Sequence, residues 1–326
     1  MTHPITLISC LALTPARAYL RESMKLHVRA WLHRRQTRHW LSVLNAEPAL
    51  VDLVRHCPRL ILKIYRPYLS DTMNCQQRVA LLQAHYSFVA RHGLVPVVAQ
   101  AARGGVTVAS FDGKSGTGYQ LRLRTIDIME REGELVLQLC RADELVASVA
   151  FSFFDGASGP ALGIGCLQGP RGEHGLDLLR DSTRDLHGMR PKALLVRLVR
   201  QIGYDYGCRD LMLVGNRNRT VRSATRQGKV HADYDALWLE LGAARGANGD
   251  YLLPCVDLAP PDLTQVVSKK RSEARKRHEA MEHIVATLRD GLRQPRRPEP
   301  APAQAPYFPM PAANAALETP IYAAVA

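Results

Sequence analysis

No apolar run in this chain reaches the 18–20 residues that a membrane-crossing helix needs. No CxxC pair occurs among the seven cysteines at 10, 57, 75, 140, 166, 208 and 255. Their scatter and odd number exclude a disulfide scaffold and a zinc ribbon, and make a reducing compartment the expectation. HExxH, GxSxG, GxGxxG and Walker A patterns are missing as well, so no single motif names a reaction. The first residues also lack a basic n-region. Only Thr2, His3 and Pro4 separate the initiator from the short apolar run Ile5 to Leu13, which argues against a cleaved signal despite the box-like Leu7-Ile8-Ser9-Cys10.

Charge is what the chain does have. Its 326 residues carry a formal +13, concentrated in two places. Segment 17–38 holds seven Lys/Arg against one acid and segment 268–277 holds six against one, so the middle is nearly neutral. Such focused patches suit an anionic membrane surface or an acidic partner, or else form solvated helix faces. Nucleic acid is disfavoured, because no helix-turn-helix or RNA-binding aromatic pattern accompanies the charge.

Periodicity divides the chain into an N-terminal segment 1–16, a helical region 17–99, an α/β core 100–260, a basic C-terminal helix 261–294 and a Pro/Ala-rich tail 295–326. In the helical region Leu20, Met24, Val28 and Trp31 recur at helical spacing beside a basic stripe of Arg17, Arg21, Lys25 and Arg29. That is an amphipathic basic helix, a pattern shared by core-packed and membrane-facing helices. A further helix is expected over 76–91, stopped by Gly93. Alternation then predicts consecutive antiparallel strands at 119–125, 134–140 and 145–154, and a fourth at 161–167. Helices are expected at 177–186 and from Pro191 to a stop at Gly207. A buried strand 211–214, a helix 234–241 and a strand 251–253 complete an α/β mixed sheet, antiparallel first and crossover later. The basic helix should span 262–293.

Three strand-end or helix-start loops are candidates for anion binding. His187-Gly188-Met189-Arg190-Pro191-Lys192 opens a helix, where unpaired amides carry partial positive charge and Arg190 and Lys192 add full charges. The loop Gly215 to Arg219, with Asn216 and Arg217 foremost and two guanidinium groups, follows the strand 211–214 at the kind of carboxyl edge where α/β sheets bind ligands. Gln168 and Gly169 belong to the Gly-rich loop 168–172. Convergence of the three, rather than any one, is the expectation. For proton transfer the candidates are His85 and Tyr234. Metal ligation has no supporting spacing, and Cys166, within an apolar strand pattern, reads as a small core residue.

A resemblance covers roughly 30–290. His85-Tyr86, Glu132 to Leu135, Phe151-Ser152-Phe153, Ile164-Gly165 with Leu167 to Gly169, Thr183 to Lys192, Asp233 to Asp235 with Trp238, and Ser268 to Ser272 together resemble the VirK/YbjX family of bacterial proteins. The resemblance implies a bacterial protein, cytoplasmic or peripheral at the inner membrane, linked in some members to virulence and envelope stress resistance. It implies no reaction. The order of elements is also similar to the GNAT acyltransferase fold, in which the acyl-CoA pyrophosphate sits at the start of the central helix. That similarity implies an acyl-CoA or other phosphate-bearing ligand held by Gln168, Gly169, His187, Gly188, Arg190, Lys192, Asn216 and Arg217. His85 or Tyr234 would then manage the proton. The usual Q/RxxGxG/A phosphate loop is replaced by the longer stretch 168–192, and Trp238 stands where many such enzymes place a tyrosine.

Overall fold

The computed structural model describes residues 4–12, 14–125, 129–170, 174–220 and 233–294, which belong to one compact unit. The expected Pro/Ala tail, and Arg171 and Gly172 of the Gly-rich loop, lie outside the described residues.

Helices α1 (Ala16–Leu32), α2 (Arg34–Ala46) and α3 (Pro48–His56) follow one another with almost no linker. Pro48 and Pro58 begin elements, as a residue lacking an N–H does at a helix start, and Pro58 opens a 3-10 stretch, Pro58–Tyr65. Asn74 caps α4 (Cys75–Arg91) through the Gln77 amide, while the Gln77 side chain accepts the Asn74 N–H in return. Helix α5 (Val95–Ala102) closes the region. Trp40, Leu44, Leu60, Ile61, Ile64 and Leu82 form the centre of its own apolar core. Helix α1 stands apart, because only Leu26 of its seventeen residues is buried.

The second core lies against an eight-stranded sheet in the order β1-β2-β3-β4-β5-β6-β8-β7. Strands β1 (Val106–Asp112), β2 (Gly118–Thr125), β3 (Leu135–Arg141), β4 (Glu144–Gly156) and β5 (Gly159–Gln168) pair antiparallel in sequence order. Helices α6 (Gly175–Asp185) and α7 (Pro191–Asp205) then cross over, so β6 (Asp210–Leu213) pairs parallel with β5. Helix α8 (Tyr234–Glu240) precedes β7 (Ala244–Arg245) and β8 (Tyr251–Pro254), which are antiparallel to their neighbours. This is the expected mixed sheet with two further strands, β1 and the two-residue β7.

The C-terminal basic helix, α9 (Arg271–Arg293), starts later than residue 262. The Asp262 carboxylate accepts from the Thr264 N–H at 2.9 Å and hydroxyl at 2.6 Å, so a local turn replaces the first helical turns. No helix among the described residues is long and apolar enough to cross a membrane.

Candidate functional site

Strands β5 and β6 run together only as far as the Ile164–Leu213 pair, where the Val214 N–H donates to the Ile164 carbonyl at 3.0 Å. Beyond it β6 turns away at Gly215 while β5 continues to Gln168. Leu167 therefore has no β6 partner, and the Tyr234 hydroxyl takes its place. The Leu167 N–H donates to it at 2.8 Å, and it donates to the Leu167 carbonyl at 2.6 Å. Burial, and then Cys166, hold the phenol well above its ordinary range, so it stays protonated at neutral pH.

Neighbouring loops fix the Tyr234 ring. Its backbone N–H donates to Asn216 Oδ1 at 2.9 Å, and Asn216 Nδ2 donates to Asp233, the residue whose carboxylate caps α8. The Arg219 guanidinium lies over the ring, 4.0 Å from its centre. The Cys166 thiol, 3.4 Å from the hydroxyl, is pushed up to about 12, by burial first and Glu132 second. It is a buried core thiol rather than a nucleophile at neutral pH.

Lys192 approaches the same place from α7. Pro191 occupies the first helical position, and Arg190 before it provides no side-chain cap, so the Lys192 and Ala193 amides sit at an uncapped start. A Cβ on Gly169 would lie 3.4 Å from Lys192 Cε and 3.7 Å from Nζ. Partial burial, reinforced by Arg219, pulls the Lys192 ammonium below its usual range, against the pull of Cys166. No ion-pair or hydrogen-bond partner of this ammonium is found among the described residues. The Lys192 ammonium thus stands within the field of Arg219, beside helix amides that Arg190 leaves without a side-chain cap.

The other candidates divide between this cradle and the scaffold. Arg190 reaches across to pair with Glu240 at the end of α8. His187 and Gly188 both take positive φ, +53° and +77°, in the turn before α7. There Arg277 of α9 donates to the His187 carbonyl at 2.9 Å, so the C-terminal helix braces the start of α7. Arg217 packs on the turn at Gly249, where a Cβ would be 2.7 Å from its Cδ. The β5 end, the α7 start and the β6 loop thus meet around α8, with Arg217 on the far side of the β6 loop.

His85 lies elsewhere, in a buried polar knot between α4 and the sheet. Glu134 is at its centre. Lys63 Nζ stands 2.5 Å from Glu134 Oε1, and the Tyr86 hydroxyl donates to Oε2. Ser152 Oγ accepts the Glu134 N–H at 2.9 Å and bonds the Tyr68 hydroxyl at 2.8 Å. Burial would push the Glu134 carboxyl up, but Lys63, His85 and Tyr86 outweigh it and hold the carboxyl below its usual range. His85 Nδ1 accepts the Phe153 N–H at 3.1 Å, which assigns the proton of the neutral ring to Nε2, a buried atom with no partner among the described residues. Burial drives this imidazole down to about 4. Its role is to terminate β4's backbone against α4.

One irregular segment, 131–134, which leaves a turn closed by the Glu132 N–H on the Met129 carbonyl, ties the knot to the cradle. Glu134 enters the knot, while Glu132, raised by burial, accepts from Thr220 Oγ1 at 3.2 Å beside Cys166. The segment lies so close to the sheet that a Cβ on Gly165 would stand 2.2 Å from the Glu132 carbonyl oxygen. Lys63 is not among the sequence candidates, although a lone lysine inside the apolar run Leu60-Ile61-Leu62-Lys63-Ile64 is a signal for it. Arg219 belongs to the candidate loop 215–219, but its stacking on Tyr234, fifteen residues on and across the undescribed stretch 221–232, is not legible there.

A family model described as protein of unknown function (DUF535) matches residues 16–290. The chain is 26% identical over 277 residues to the uncharacterized protein YbjX of Escherichia coli, covering 83% of this chain and 84% of that protein. It is 23% identical over 198 residues to membrane protein LapB of Mannheimia haemolytica, covering 60% of this chain and 84% of LapB. Among solved structures, a cAMP-binding acyltransferase from Mycobacterium smegmatis aligns at a TM-score of 0.27 and 10% identity. That alignment covers 67% of this chain and 63% of the other, and is too loose to transfer any residue.

Proposed function

The chain belongs to the DUF535 family, the family of YbjX, and from that footing we propose that it binds a phosphate-bearing cofactor of the acyl-CoA type and transfers its acyl group. The reading rests on one observation. The half-buried Lys192 ammonium sits against Gly169 and near like-charged Arg219, at an uncapped helix start, with no carboxylate partner among the described residues. A half-buried ammonium without a counter-charge gains from an anion, and a bound phosphate at the helix start supplies one.

In this arrangement the Lys192 and Ala193 amides and the Lys192 ammonium hold the pyrophosphate, and Arg190 joins them by leaving Glu240. The Gln168 carboxamide receives the amide-bearing arm of the cofactor, next to the edge where Tyr234 occupies both polar groups of Leu167. An acyl-CoA would supply an activated thioester: an amine or hydroxyl acceptor would bond to the acyl carbon as the C–S bond breaks, its own proton passing to solvent, and the leaving thiolate would take a proton. Tyr234 keeps its phenolic proton at neutral pH and lies at that edge, so the geometry favours it over His85 as the donor.

The test is the melting temperature of the full chain with CoA, acetyl-CoA and a medium-chain acyl-CoA. Ligand at 100 times its Kd stabilises by about 2.7 kcal/mol, and Lys192→Ala should lose that shift while retaining the ligand-free melting temperature. No shift with any CoA species at millimolar concentration sinks the proposal.

A further inference from the structure

Helix α1 turns its apolar stripe outward. Leu20, Met24, Val28 and Trp31 lie on one face of a 3.6-residue helix, and they are 73%, 63%, 58% and 74% exposed. Leu26, on the opposite side, is 2% exposed and is the residue by which the helix packs. A surface helix that served only the core would show the reverse pattern. The large side chains here recur along one line and extend to Leu32 at its end, 63% exposed.

Positive charge borders the stripe. At 100° per residue, Arg21, Lys25 and Arg29 fall on the adjoining flank, Arg17 stands at the N-terminal end of the stripe itself, and Arg34, Arg35 and Arg38 continue the charge on exposed positions of α2. Glu22 is the lone acid of segment 17–38, and it is occupied by Arg21 and Lys25 at 3.1 and 3.4 Å. We propose that α1 docks this protein in the plane of an anionic lipid surface. Leu20, Met24, Val28 and Trp31 enter the acyl boundary, and Arg17, Arg21 and Lys25 meet the headgroup phosphates. Charge selects this occupant over a second copy of the chain, since pairing two stripes would set a net +6 against another +6.

The chain carries its own reporter. Of its three tryptophans, Trp40 and Trp238 are 0% exposed, so a change of emission on adding vesicles belongs to Trp31. With vesicles of phosphatidylglycerol and phosphatidylcholine, the full chain should co-sediment, its emission should shift to the blue, and acrylamide quenching should fall. Phosphatidylcholine alone should do none of these, and high salt should release the bound protein. The double variant Met24→Gln/Val28→Gln alters exposed positions, so it should keep the parent circular dichroism and melting temperature. Its binding should weaken at least about tenfold, because two apolar side chains no longer leave water. The charge variant Arg21→Glu/Lys25→Glu should weaken binding to the mixed vesicles to a similar degree. Failure to sediment with the mixed vesicles overturns the proposal, as does equal binding to pure phosphatidylcholine or undiminished binding by the Met24→Gln/Val28→Gln variant. A dimer that this same variant dissociates would assign the stripe to a second copy. Capture of an acidic protein without vesicle binding would assign it to that partner.

Discussion

Acid should destabilise this protein in a window that belongs to His85. The folded imidazole is driven down to about 4 from an ordinary 6.5, chiefly by burial. As pH falls from about 6.5, the unfolded chain takes up a proton that the folded chain refuses, so the unfolded state binds more protons and stability drops. The contribution is fully present above 6.5 and is lost down to about 4, where the folded ring also protonates. A displacement of this size corresponds to about 3 kcal/mol, with a limiting slope of about 1.4 kcal/mol per pH unit. Glu134 acts separately. Its carboxyl is held below the usual range, so its contribution is present above the unfolded value and is lost only as pH falls below it, under the His85 window. Urea unfolding midpoints between pH 7.5 and 4.5 measure the effect. His85→Asn keeps an acceptor near the position of Nδ1 for the Phe153 N–H and removes the titration. The parent should lose about 3 kcal/mol more than the variant across the window. Parallel pH profiles for the two proteins would refute the assignment of a buried neutral imidazole.

The remaining predictions concern groups whose partners are fixed. Glu134→Gln leaves Lys63 charged and buried, and should cost about 3–5 kcal/mol by urea unfolding, whereas Lys63→Met/Glu134→Gln should recover part of the loss. Gly165→Ala drives a methyl against the Glu132 backbone oxygen and should lower the melting temperature sharply, with Gly163→Ala as a comparison in the same strand, where the nearest atom is a side-chain methyl at 2.7 Å. Tyr234→Phe strands both polar groups of Leu167 and should cost about 2–4 kcal/mol in the same assay, more than removal of one exposed hydrogen bond would. Cys166 should resist alkylation by iodoacetamide at pH 8 in the folded protein and react on unfolding, because its thiol is pushed up to about 12.

How much of this was legible in the sequence follows from which forces act locally. Strand β2 announces itself because Tyr119, Leu121 and Leu123 face the core while Gln120, Arg122 and Arg124 do not. Strand β1 does not, since a bulge between Thr107 and Ala109 breaks its alternation. The Pro191 start of α7 was readable from a single residue type, whereas the end of the preceding turn, at Asp262 before α9, depended on one carboxylate choosing a local N–H. For α1 the helix and its two stripes were legible, but the choice of buried face was not. Leu26 alone decides it, and nothing in its own turn distinguishes it from Leu20. The three candidate loops were each visible. Their meeting around α8 depended on pairings such as Arg190 with Glu240 and Asn216 with Asp233, fifty and seventeen residues apart, which no periodicity encodes.

The segments that carry the family resemblance divide into two kinds of work, and the division bears on what the family shares. His85-Tyr86, Glu134 and Ser152-Phe153 close the buried knot, and Gly165 with Glu132 fixes how closely segment 131–134 crosses the sheet. Buried charge of this kind is weak evidence of extra stability, because apolar packing of equal volume does as well. What the knot supplies is position. With the Glu134 carboxylate held by Lys63 on one oxygen and by Tyr86 of α4 on the other, α4 and the sheet are tied in one register, and segment 131–134 is fixed next to Glu132. That places a carboxyl beside Cys166 and Thr220 at the edge where Tyr234 replaces a strand and Lys192 faces no partner among the described residues. Loosening the knot should therefore move the cradle before it unfolds the chain. Lys63→Met/Glu134→Gln, if it folds, should weaken any CoA-dependent stabilisation more than an equally destabilising change on the far side of the sheet, such as Arg289→Ala, which breaks its pair with Asp205. Equal loss from both variants would mean that the knot holds the fold alone and that its link to the cradle is geometrical coincidence.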